Sequence, residues 1–164
     1  MNGINSEKLH EIKVFFDKTT STLSYVVYDE LEKKCAVIDS VLDFDYSSGD
    51  IDYVNADKII SFINDKKLNL EWLIETHVHA DHLSASPYIQ NKLGGKIGIS
   101  ENISDIQNIF GKTFNAGTEF QRDGSQFDKL FREGDQYKIG RIQCKVIHTP
   151  GHTPACNAHV IGNS

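Results

Sequence analysis

The stretch Thr76-His77-Val78-His79-Ala80-Asp81-His82 follows directly on the run Leu70 to Glu75, which reads as a buried strand. Four metal-binding side chains fall within its last six residues. His77 and His79 are two apart, so an extended backbone projects them to the same side. Asp81 and His82 come as the chain turns toward a helix beginning near Ser86-Pro87. Imidazole and carboxylate converging on one point suit zinc, iron or manganese better than calcium or magnesium. The alternative is a set of unrelated surface histidines beside a helix-initiating aspartate. Three of the chain's seven histidines crowd this window, which favours a site.

Downstream, His148-Thr149-Pro150-Gly151-His152-Thr153-Pro154 also follows a strand-like run, Arg141 to Ile147. Pro150-Gly151 forces a tight turn that aims His152 back across the end of the sheet. Two remote strand ends thereby offer imidazoles to one centre. His148 alternates with Val146 and Cys144 on one strand face and reads as a satisfied histidine. His159, in the last strand, and His10 read as structural or solvated.

Around these clusters the chain alternates strands and helices. Lys13 to Phe16 and Thr22 to Tyr28 are rich in β-branched and aromatic residues and form an opening hairpin. Cys35 to Asp39 is a third, buried strand. Ser40 to Asn55 reads as a loop, and Ala56 to Lys66 as an amphipathic helix capped by Asn55. A helix capped by Ser86 stops at Gly94-Gly95. Lys96 to Ile99 (strand) and Ile103 to Phe110 (helix) follow. Gly111 to Gln126 shows no period, and its length marks it as functional or disordered. Phe114, Phe120 and Phe127 either line a mouth over the metal or anchor this loop. Gln136 to Ile139 and Arg141 to His148 form strands joined at Gly140. Cys156 to Ile161 is a last strand, with Gly162-Asn163-Ser164 as a turn that no partner strand follows. The expectation is a polar tail over 1–10 and one layered mixed α/β domain over 11–164, incomplete at its C-terminal end.

Composition narrows the function classes. The chain has 164 residues, 39% of them hydrophobic, enough for one core. Its net charge is −6, and its 17 Lys and Arg are thinly spread, which disfavours nucleic acid or an anionic membrane as partner. No stretch reaches transmembrane length. Cys35, Cys144 and Cys156 lie in no pairing motif and read as reduced thiols, so a cytoplasmic setting is expected. Cys35 and Cys144 read as core residues; Cys156, near His152, could instead meet a sulfur substrate.

The HxHxDH run with the later TPGHT turn resembles the metallo-β-lactamase superfamily, over nearly the whole chain from about Phe15 onward. The wording ETHVHADHLSAS, LGGKIGI, GSQFDKLF and HTPGHTPAC is similar to its persulfide dioxygenase-like branch, which includes proteins labelled β-lactamase hydrolase-like. The resemblance implies an αββα sandwich, here its N-terminal portion only. It implies metal ligation by His77, His79 and His152, and a second metal position at Asp81 and His82, with Asp81 also catalytic. In the single-iron branch, His77 and His152 would be joined by an aspartate from a later Gly-Asp motif, which has no counterpart before Ser164. Asp39 stands where the family has an aspartate bracing the metal site, although the following residue is Ser40 instead of the usual proline; a simple turn-starting aspartate is the alternative.

Three functions are then open. The first is an Fe(2+) persulfide dioxygenase that oxidises a glutathione-type persulfide to sulfite. The second is a hydrolase of thioesters or lactones with one or two Zn(2+), like glyoxalase II. The third is a truncated fragment that binds metal without catalysis. In the first two the partner is a small-molecule thiol, persulfide or ester.

Overall fold

Apolar residues on both faces of neighbouring strands decide the layering. In the computed structural model, which describes residues 10–162, strands β1 (Glu11–Asp17), β2 (Thr22–Asp29) and β3 (Lys34–Ile38) run antiparallel. Val26, Tyr28, Cys35 and Val37 point to one face, and Val27, Ala36 and Ile38 to the other. Strands with apolar residues on both faces must be covered on both. Helix α1 (Val54–Asp65) covers the first face through Ala56, Ile59 and Ile63.

Beyond β3 the sheet continues in parallel through β6 (Asn69–Ile74), β8 (Lys96–Ser100) and β9 (Lys129–Phe131), giving the order β1-β2-β3-β6-β8-β9. Helices α2 (Ser86–Leu93) and α3 (Ile103–Thr113) lie along the connections between these parallel strands. A second sheet, β10 (Gln136–Ile139), β11 (Ile142–His148) and β12 (Asn157–Ile161), packs on the other face. Tyr137, Ile139, Ile142, Cys144 and Val146 meet Val27, Ala36, Ile38, Ile74 and Phe131 there. Trp72 Nε1 donates to Lys138 O across the two sheets at 2.9 Å. The described residues thus form three layers, helices, sheet and sheet, in agreement with the expected sandwich portion.

The second sheet does not reach across all of the first. Ile12, Val14, Phe16 and Leu23, aligned on the face that carries Tyr25 and Val27, remain 44–56% exposed. β12 has no strand on its outer side among the described residues. Among the described residues, no helix is long and apolar enough to cross a membrane.

Several local expectations are corrected. The segment 40–55 is not a plain loop: it holds β4 (Val41–Phe44) and β5 (Ile51–Asp52), paired antiparallel around a turn at Asp45 to Gly49. Asn55 does not cap α1. It lies inside the helix, and its amide binds Asp43 and Asp17 while Tyr53 takes the cap position. Ala85, not Ser86, precedes α2, because the Ser86 hydroxyl is committed to Glu75. The aperiodic stretch starts later than expected, since α3 runs on to Thr113, and β9 went unread because three residues are too few to show alternation. Most of the tail over 1–10 and the last two residues of the terminal turn lie outside the described residues.

Candidate metal centre

The ligand-rich segment leaves the end of β6 and is held at both ends. At its start, Thr76 N and Thr76 Oγ1 donate to the two oxygens of Asp39, at 2.8 and 2.7 Å. At its exit, β7 (Leu83–Ser84) pairs with β4, and Ala85 N donates to Ser40 O at 2.9 Å. Asp39 sits in the left-handed region at φ 50°, where aspartate is tolerated better than most residues. Its backbone N–H to Ile74 O and the Ser24 hydroxyl on its carbonyl hold it there. That backbone turn brings the carboxylate off the end of β3 to the loop.

The expected residues come together. The ring centroids of His77 and His79 are 4.2 Å apart, those of His79 and His82 are 4.1 Å apart, and those of His77 and His152 are 5.0 Å apart, nearly perpendicular. His79, Asp81 and His82 each offer a ligand atom within 4.8 Å of the others. The two ligand-bearing turns are joined by backbone, Asn157 N donating to Thr76 O at 2.8 Å.

The rings of His77, His79 and His82 each have one nitrogen engaged by protein. His77 Nδ1 meets Thr76 Oγ1 at 2.9 Å, His79 Nε2 meets Asp39 Oδ1 at 3.1 Å, and His82 Nδ1 meets Leu83 O at 2.9 Å. Such fixing of one nitrogen is what aims the other at an ion. His82 is 7% exposed and its Nε2 has no hydrogen-bond partner, a costly state for a buried polar atom. The donor set therefore fits a transition metal.

The electrostatics agree. Burial alone would lower the basicity of His79, but the carboxylates of Asp39 and Glu75 outweigh it and raise its pKa to about 10. Burial and the neighbouring His79 charge lower that of His77. Asp39 stays below the ordinary carboxylate value despite burial, through its bonds to His79 and Thr76. A cleft of about 560 Å³ opens onto His82, lined by Asp17, Asp43, Asp45, Asp50 and Asp52. That field draws cations toward the site. Tyr46, from the β4–β5 turn, donates its hydroxyl to Asp81 O at 2.9 Å.

Sequence reasoning missed Glu75, whose carboxylate lies 3.3 Å from His79 Nε2. A charged residue directly after the apolar run Trp72-Leu73-Ile74 was the available signal. It also misread His148, whose Nε2 is buried without a partner and so is not satisfied. His159 has Nδ1 3.0 Å from the Tyr137 hydroxyl, a buried Nε2 without a hydrogen-bond partner, and a pKa lowered by burial to about 4. Burial pushes the thiols of Cys35 and Cys144 up to about 12 and about 11, as suits core residues. Cys156 Sγ accepts from Thr153 N at 3.1 Å within its own turn. Phe127 packs on the core and lines a cavity of about 320 Å³ beside His77 and His79, whereas Phe114 is exposed.

This fold with this centre defines a metal-dependent hydrolase or oxidase scaffold, and comparison with known proteins agrees. The chain belongs to the metallo-beta-lactamase superfamily, whose match covers residues 18–160. It is 47% identical over 150 residues to a "Probable metallo-hydrolase" of Burkholderia pseudomallei, covering 92% of this chain and 51% of that protein. It is 24% identical to the human mitochondrial persulfide dioxygenase ETHE1, covering 93% of this chain and 48% of that one. The solved structure of ETHE1 from Myxococcus xanthus superimposes with a TM-score of 0.70 at 24% identity, over 92% of this chain and 53% of that chain. The chain thus spans about half the length of these relatives.

Proposed function

We propose that the chain carries the histidine-rich part of the active site of an Fe(2+) persulfide dioxygenase. The overall reaction converts a glutathione-type persulfide, O2 and water into the thiol, sulfite and two protons. The observation that carries this reading is the meeting of the His77 and His152 rings, centroids 5.0 Å apart, from two remote turns. The likeness to ETHE1 over 93% of the chain supports it. His77, His79 and His152 would hold the ion, His79 through the Nδ1 that Asp39 leaves unengaged. When bound, iron supplies redox chemistry toward O2 and open positions for the substrate sulfur. The chain's own residues set geometry: Asp39 and Thr76 orient the imidazoles, and Tyr46 steadies Asp81 at the mouth.

A second reading is a zinc hydrolase of thioesters or lactones. The unpartnered Nε2 of His82, grouped with His79 and Asp81, favours it by offering a second metal position. So does the name of the 47% identical relative. In that reading Asp81 orients the attacking water.

Metal analysis of protein purified without added metal, followed by oxygen uptake with glutathione persulfide, tests both. Near-stoichiometric iron and oxygen consumption are expected. Two equivalents of zinc, no oxygen uptake after iron loading, and thioester hydrolysis would replace the first reading by the second.

A further inference from the structure

Glu75 is 4% exposed and ends the run into the ligand loop. Its Oε1 accepts from two hydroxyls, Ser84 Oγ and Ser86 Oγ, both at 2.5 Å, and Ser86 Oγ lies 3.2 Å from Ser40 Oγ. Its Oε2 makes no hydrogen bond. That oxygen lies 3.3 Å from His79 Nε2, whose N–H is donated instead to Asp39 Oδ1 at 3.1 Å. Two carboxylates therefore converge on one imidazole nitrogen. A buried carboxylate oxygen with no donor is costly unless positive charge faces it. Two serines already satisfy the other oxygen, so structural tying of the loop does not explain where Oε2 points.

We infer that Glu75 is a positioning residue of the metal centre: with Asp39 it traps the Nε2–H of His79 between two carboxylates and leaves Nδ1 for the ion. This rests on the reading of the histidine cluster as a metal site. An imidazole N–H held by one carboxylate is already a more basic ligand with a fixed tautomer. A second carboxylate adds counter-charge behind the ring and narrows the arc through which the ring swings. Through Ser84 and Ser86 the same side chain ties the loop's exit and the start of α2 to the end of β6.

Glu75→Gln tests this, since its amide oxygen still accepts from both serines while its NH2 opposes the His79 N–H. Zinc affinity by chelator competition is expected to fall 10- to 100-fold, with a shifted visible spectrum of the cobalt-substituted protein. Ser84→Ala, which keeps the carboxylate, should lower the thermal midpoint and leave spectrum and affinity near wild type. If Glu75→Gln loses thermal stability but keeps wild-type affinity and spectrum, Glu75 is a structural tie only. Should that variant not fold, Glu75→Asp keeps the charge but withdraws it from His79; it too should bind zinc more weakly, and unchanged affinity overturns the role. Wild-type protein that takes up neither zinc nor iron removes the metal reading itself, and this role with it.

Discussion

Arg141 grips Asp29 with both arms of its guanidinium, Nε to Oδ2 at 2.8 Å and Nη2 to Oδ1 at 3.0 Å, and adds its backbone N–H to Oδ2 at 3.1 Å. Asp29 ends β2 in the large sheet and is fully buried, whereas Arg141 sits in the turn between β10 and β11. The pair is a clamp between the sheets, and the arginine holds the carboxyl well below the usual carboxylate range. A depressed carboxylate contributes stability above its unfolded pKa, near 3.8, and loses it as pH falls below that value. Arg141→Met is expected to lower stability at pH 7 by about 1–3 kcal/mol. Urea titrations at pH 7 and pH 3.5 should show the difference between variant and wild type shrinking in acid.

Metal loading should release a proton. The metal-free His79 is held protonated at neutral pH by Asp39 and Glu75, with a pKa of about 10, and an ion must displace the proton from one ring nitrogen. Calorimetry at pH 7.5 in buffers of different ionisation enthalpy should therefore report close to one proton released from this group. The raised pKa also means that the stabilisation of the metal-free protein by this group is complete below pH 6.5 and fades as pH rises toward 10.

Asp81→Asn separates the two metal positions. Iron content after anaerobic loading should stay near one equivalent, and any second equivalent of zinc should disappear. His152→Ala should instead abolish tight binding of the first ion, because no other imidazole reaches His77 from the second sheet among the described contacts. Elemental analysis of the three proteins, loaded in parallel, decides this.

Gly98, in β8, leaves the space that the Phe131 ring occupies. A Cβ there would lie 2.5 Å from Phe131 Cε2, closer than carbon atoms tolerate. Gly98→Ala should cost about 1–3 kcal/mol through overpacking. Phe131→Leu in the same chain should recover part of the loss in thermal melts, whereas each change alone destabilises.

Much of this architecture was legible in the residues. The β-branched and aromatic residues of β2, the short apolar run of β3 and the breaks at Gly94 and Gly140 announced the elements, and HxHxDH with PGHT announced the centre. The hairpin over 41–52 was hidden because its aspartates and serines bind their own turn, so composition there looked like loop. The cap at Asn55 failed for a tertiary reason: Asp17 and Asp43 compete for its amide. Glu75 was invisible to periodicity, since what defines it is the convergence of Ser84, Ser86 and His79 from beyond the strand.

The backbone bond from Asn157 to Thr76 makes ion affinity a gauge of how the two layers are seated. A change deep between them, at Ile142 or Ile74, shifts the turn carrying His152 against the turn carrying His77 without touching either ring. Weak chelation in such a variant would report slippage of one slab over the other, and a tightly held ion would act as the rivet that resists it.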